Sequence, residues 1–285
     1  MSQANSTDPI CNSTLYQRHT LAIRVMHWIN VIAFSLLLMS GLQIFNAHPA
    51  LNWGKSSYNG QPPLMQMGAR RDTQGQLVGV TQLFGYTFDT TGVLGVSASA
   101  NGRPSVRGFP AWMTVPGAQW LSMARRWHFF FAWLLVINGV SYLLYSLASR
   151  HLRRDLTPTS RDWCSLGQSI KDHLRFRHPY GDDAKHYNIL QKLSYLSVIY
   201  GLFPLVVLAG LAMSPGLNVL LPGWVDVFGG RQSARTVHFI VAWLLVAFVF
   251  IHVFEVMVSG LWNNMRSMIT GCYRVPEKEA DRAQS

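Results

Sequence analysis

The sequence predicts an all-α integral membrane protein: a four-transmembrane-helix bundle with a long periplasmic loop between helices 1 and 2. Three observations predict it. The 285 residues are 49% hydrophobic and 13% charged, and mean hydropathy is +0.15, too apolar for an ordinary soluble chain and too polar for one buried in lipid throughout. Four stretches, and no others, reach the roughly 20 apolar residues that a bilayer core of about 30 Å requires. Basic residues gather beside these stretches on one side.

Residues 1–19 form a polar tail without an apolar run, so no cleavable leader is expected and the first span directs insertion. The spans are expected at about 20–43, 121–148, 192–213 and 234–261, together making a membrane domain of 20–261. Between the first two lies a loop, 44–120, rich in Gly, Pro and Ser. Its turn formers alternate with short apolar runs, which predicts a few strands and an interfacial segment. A charged loop, 149–191, joins spans two and three, and 262–285 is a C-terminal tail.

Arg18 and Arg24 precede span one, "RHLRRD" follows span two, and Arg266, Arg274 and Lys278 follow span four. The positive-inside rule then places both termini and the loop 149–191 in the cytoplasm, and 44–120 in the periplasm of a bacterial inner membrane. This also accounts for the net charge of +11 without nucleic acid, for which the chain has no motif. Cys11, Cys164 and Cys272 are far apart, lack C-x-x-C spacing and fall on the cytoplasmic side, so all three are expected as free thiols.

The chemistry lies in histidines within the spans. "RTVHFIVAWLLVAFVFIHVF" carries His238 and His252 fourteen residues apart, nearly four helical turns and about 21 Å of rise, so both rings share one face at opposite depths. His27 lies toward the cytoplasmic end of span one and His128 toward the periplasmic end of span two. Depth therefore pairs His128 with His238 and His27 with His252. Two imidazoles at equal depth on facing helices are what axial ligation of haem iron requires, so two haems are expected; without C-x-x-C-H they are non-covalent haem b. A lone intramembrane histidine is as readily interhelical glue or a proton relay, and it is the pairing that favours ligation.

Arg24, Arg125 and Arg235 each stand three residues before His27, His128 and His238, on the same helix face and nearer water, where they are assigned to haem propionates. Snorkelling at the membrane boundary is the plain alternative. Gly41 and Gly139 fall at haem depth on the ligand-bearing helices and would let a macrocycle approach, or simply let helices pack closely.

With "RVMHW" in span one, "RRWHFFFAWLLVINGVSYLLY" in span two and the His-x13-His of span four, the chain resembles the four-helix membrane cytochrome b family. Its relatives there are the cytochrome b subunits of nickel-iron hydrogenases, the formate dehydrogenase gamma subunit and, most of all, the thiosulfate reductase cytochrome b type. The resemblance covers all four spans and implies ligand roles for His27, His128, His238 and His252. "HYNILQK", residues 186–192, resembles that family's Y-N-x-x-Q-K stretch, which implies that Tyr187, Asn188 and Gln191 bind quinone near His252. Leu190 stands where the formate dehydrogenase version has glycine; from the residues alone the segment reads as a helix cap. The implied partners are the quinone pool and a periplasmic oxidoreductase subunit, molybdenum-containing in the thiosulfate reductase context. The expected role is an electron-transfer subunit that anchors this partner, with quinone redox activity of its own. A proton-coupled transporter using the histidines as relays is the rival reading; it calls for more spans and internal repeats.

Overall fold

The computed structural model describes residues 15–58, 60–99, 101–117, 119–149, 157–175 and 188–274. It is mostly helical, and four helices are long and apolar enough to cross a membrane: α1 (Leu21–Phe45), α2 (Leu121–Ala148), a third running Ile189–Ala212, and α8 (Arg231–Val258). Large apolar side chains face outward along them, Phe130 at 66% and Phe250 at 73% exposure. Such surface is tolerated only in a non-aqueous surround.

The third span is not one regular helix. It is built from α5 (Ile189–Leu196), a π-helical stretch Ser197–Leu202, and α6 (Phe203–Ala212). Pro204 sits in the first turn of α6. It has no N–H to continue an α ladder, and the wider turn before it absorbs the missing bond. The span starts at Ile189 because Asn188 caps it: the Asn188 side chain accepts from Gln191 N at 2.9 Å while the Gln191 side chain accepts from Asn188 N at 3.3 Å. Shorter helices complete the set: α3 (Ser160–Cys164), α4 (Leu166–Leu174), α7 (Pro215–Leu220) and α9 (Leu261–Thr270).

The chain divides into two compact units. One comprises 30–137 and 202–244 and contains the loop between α1 and α2. Here β2 (Ala50–Leu51), β3 (Met65–Arg71), β4 (Leu77–Leu83) and β5 (Tyr86–Asp89) form an antiparallel sheet in that order, beside a hairpin of β6 (Gly95–Ala98) and β7 (Pro104–Arg107). The β3–β4 turn closes where Asp72 accepts from the backbone of Gln74 and Gln76, the usual service of aspartate in a turn. Phe109 follows β7 into a core with Leu42, Phe45, Leu51 and Met67, against which Phe239 and Trp243 of α8 pack. Asn46 fastens this junction through its side chain, donating to Phe109 O at 3.0 Å and accepting from Phe109 N at 2.6 Å.

The other unit comprises 1–29, 138–201 and 245–285. Within it β1 (Tyr16–Gln17) pairs antiparallel with β8 (Cys272–Tyr273). Asn138, buried in α2, donates to Met26 O at 2.8 Å, which satisfies an amide that lipid would not. The expectation of free thiols needs correction here: Cys272 is bonded in a disulfide, whereas Cys164 is free and exposed. The β1–β8 pairing shows why sequence spacing misled, since it brings residues 16 and 273 face to face. Cys11 lies outside the described residues.

Candidate functional site

The structure brings the four span histidines together in two pairs, each within one unit. His128 of α2 faces His238 of α8 with ring centroids 6.1 Å apart and planes at 65°. His27 of α1 faces His252 of α8 at 6.3 Å and 58°. The Nε2 atoms of these four rings make no hydrogen bond among the described residues.

The first pair is held from behind by backbone. His238 Nδ1 lies 2.7 Å from Val206 O, and His128 Nδ1 lies 3.2 Å from both Leu37 O and Ser40 Oγ. A carbonyl oxygen can only accept, so each Nδ1 carries the proton and each Nε2 presents a lone pair. Ser40 is oriented for the same task, its hydroxyl donating to Leu36 O at 2.6 Å and so turning its oxygen to accept.

Glycines make this geometry possible. A Cβ on Gly210 would stand 3.2 and 3.3 Å from His238 Cε1 and Nδ1, and one on Gly41 would stand 3.3 and 3.6 Å from the same atoms of His128. Each glycine lies four residues after the carbonyl that its histidine reaches, Val206 and Leu37. The ring therefore rides over a bare Cα to meet the carbonyl one turn back. The reading of Gly41 as room for a macrocycle thus becomes room for a ring of imidazole, while Gly139 meets nothing within 4 Å. Gly210 went unread in the sequence, although its place in α6 mirrors that of Gly41 in α1.

The second pair is dressed differently. Trp28 stands edge-on to His27 with centroids 5.4 Å apart, and Phe248 stacks on His252 at 5.9 Å and 16°. His27 Nδ1 is buried without a partner.

The arginines go to separate places. Arg24 donates to Ile269 O at the end of α9, and Arg235 donates to His48 O with its guanidinium 5.3 Å over the Phe45 ring. Arg125 is exposed, 5.9 Å over Phe129. Asn188 and Gln191 form the capping box described above, and Tyr187 lies outside the described residues. Sequence reasoning passed over Lys192 and Asp162, which pair at 2.9 Å with both side chains largely buried. Burial works to raise the Asp162 carboxyl, but hydrogen bonds from Lys192 and from Thr159 outweigh it and hold it at about 2. No spacing rule links residues thirty apart in different helices.

This arrangement fits a haem. A metal–imidazole bond is about 2 Å, so two rings on opposite sides of one iron have centroids roughly 6 Å apart. Both pairs meet that spacing. The free Nε2 atoms and the protonated Nδ1 atoms of the first pair are the donor set that a ligated iron needs.

Comparison with known proteins agrees. Over 257 residues, 90% of this chain and 98% of the relative, the sequence is 28% identical to a protein of Azospira oryzae described as a candidate protein-methionine-sulfoxide reductase subunit, YedZ1. Residues 18–271 match the family model of prokaryotic cytochrome b561. With four apolar helices and facing imidazoles already in place, the match means that this chain belongs to the prokaryotic cytochrome b561 family, the multi-pass b-type cytochromes of bacterial membranes.

Proposed function

We propose that the protein carries two haem b groups, one held by His128 and His238 and one by His27 and His252, and passes electrons between a partner oxidoreductase and the quinone pool. The observation that supports this best is the repeated centroid spacing of about 6 Å in two separate histidine pairs. Bound haem supplies a reversible one-electron couple. The chain's part is to aim four Nε2 lone pairs, keep them dry, and fix tautomers through the Leu37 and Val206 carbonyls.

Asn188 and Gln191 are the proposed quinone contacts. The capping box engages their side-chain oxygens and leaves both amide NH2 groups without a hydrogen bond among the described residues, free to donate to a quinone carbonyl. Tyr187 joins them on the strength of the resemblance. The partner is proposed as a periplasmic oxidoreductase of the molybdenum class, and the description of the Azospira oryzae relative as a reductase subunit supports a partnered role. Flanking cations support cytoplasmic termini, whereas the Cys272 disulfide is chemistry of an oxidising face.

A haem assay on the purified protein tests the central claim. Two haem b per chain are expected with a reduced b-type absorbance band; one haem or none ends the reading. Orientation is tested through Cys164, an exposed free thiol: in intact cells a membrane-impermeant maleimide should leave it unlabelled, and labelling would invert the proposed topology.

A further inference from the structure

Arg107, the last residue of β7, is 4% exposed, and its Nε is buried without a partner. Its guanidinium makes no hydrogen bond or ion pair among the described residues. Burying a cation this deeply is unfavourable unless an anion and hydrogen-bond acceptors meet it. The cross-strand neighbour, Gly95, offers no side chain.

The chain itself has no carboxylate to spare in this unit. Residues 30–137 and 202–244 contain only Asp72, Asp89 and Asp226 as acidic side chains. Asp72 accepts from the backbone of Gln74 and Gln76 at 2.9 and 2.8 Å. Asp89 accepts from Thr91 N and Oγ1 at 3.0 and 2.7 Å, and Asp226 pairs with Lys55 at 3.1 Å. None of these three meets Arg107 among the described residues, which points to an anion from outside this unit.

Arg107 belongs to the same unit as the His128–His238 pair. Two residues on, Phe109 packs at 5.7 Å from Phe45, 6.5 Å from Phe239 and 6.1 Å from Trp243, and Phe239 is the neighbour of His238. Arg235, one turn before His238, lies over the same Phe45. A surface anion, such as a lipid phosphate or an acidic side chain of another protein, would have to reach a residue that is almost wholly covered.

We propose that Arg107 binds a carboxylate of the haem held between His128 and His238, as a bidentate guanidinium–carboxylate contact. The inference rests on the haem reading above and extends it to a residue far from every histidine in sequence. A cation against this carboxylate favours the reduced, more negative site.

The test uses purified, haem-loaded protein. R107Q should lower the midpoint potential of the haem that His238→Ala removes, leave the other haem's potential in place, and shift the carboxylate stretch in the redox-difference infrared spectrum. Reconstituted with haem methyl-esterified at both carboxylates, parent and R107Q should titrate alike. An unchanged potential and band in R107Q, or a difference that persists with the esterified haem, overturns the proposal; the latter result assigns the anion to lipid or another protein. Should R107Q fail to accumulate, R107K serves, because its ammonium keeps the charge but not the fork: the same band must shift, and a spectrum identical to the parent's overturns the proposal. A parent chain that binds no haem overturns the underlying reading and this inference with it.

Discussion

His238→Ala should leave the protein with one haem in place of two. His238 of α8 faces His128 across 6.1 Å, and without it a haem there would be held by His128 alone. The reduced b-type absorbance per chain should then fall by about half. The remaining haem should be untouched, because its proposed ligands, His27 and His252, belong to the other unit. The substitution also removes the bond of His238 Nδ1 to the Val206 carbonyl at 2.7 Å, a loss of about 0.5–1.5 kcal/mol, since that carbonyl keeps its place in the α6 helix. Some loss of stability is therefore expected beside the loss of absorbance. Loss of both haems, or of neither, would contradict the assignment.

Gly210→Ala should disturb the same haem without removing a ligand. The new methyl would arrive 3.2 to 3.3 Å from His238 Cε1 and Nδ1, so the ring must yield by a few tenths of an ångström. The motion stretches the bond to Val206 O, which fixes the tautomer and raises the donor strength of Nε2. Loss of such supporting contacts typically weakens metal binding by about 10- to 100-fold, and a weaker donor favours the reduced iron. The expected result is a haem that washes out more readily and titrates at a higher potential. Gly41→Ala, at 3.3 and 3.6 Å from His128, should have the same sign and a smaller size. Gly139→Ala is the control: nothing lies within 4 Å, and alanine favours a helix by about 1 kcal/mol over glycine. If Gly210→Ala and Gly139→Ala titrate alike, the glycine contact has no bearing on the ligand.

Much of this site could be read from residues alone, because a helix converts spacing into direction. Four apolar stretches announced the spans, and the fourteen-residue spacing of His238 and His252 assigned each ring a depth and hence a facing partner. What escaped was whatever depends on backbone or on contacts across the fold. The Leu37 and Val206 carbonyls that hold the imidazoles belong to residues whose side chains play no part in the contact, so nothing in their identity marks them. Asp162 and Lys192 meet across two helices, and Cys272 finds a disulfide in spite of its isolation in the chain. The arginines show a subtler limit. Spacing of i, i+3 puts Arg24 and Arg235 on the histidine face, yet a side chain that long reaches the carbonyls of Ile269 and His48, which no periodicity foretells. Asn188 and Gln191 gave two readings, quinone contact and helix cap, and their oxygens are visibly spent on the cap.

The ribbon of β1 with β8 ties Tyr16 and Gln17 to Tyr273 and Cys272, almost the whole length of the polypeptide apart. Such a closure waits on synthesis: a ribosome that has delivered α1 must still make three more crossings before the second strand emerges. Until then His27 has no facing ring, since His252 is itself among the late residues. The order of manufacture thus leaves the ribbon to close only after both His27 and His252 have been made.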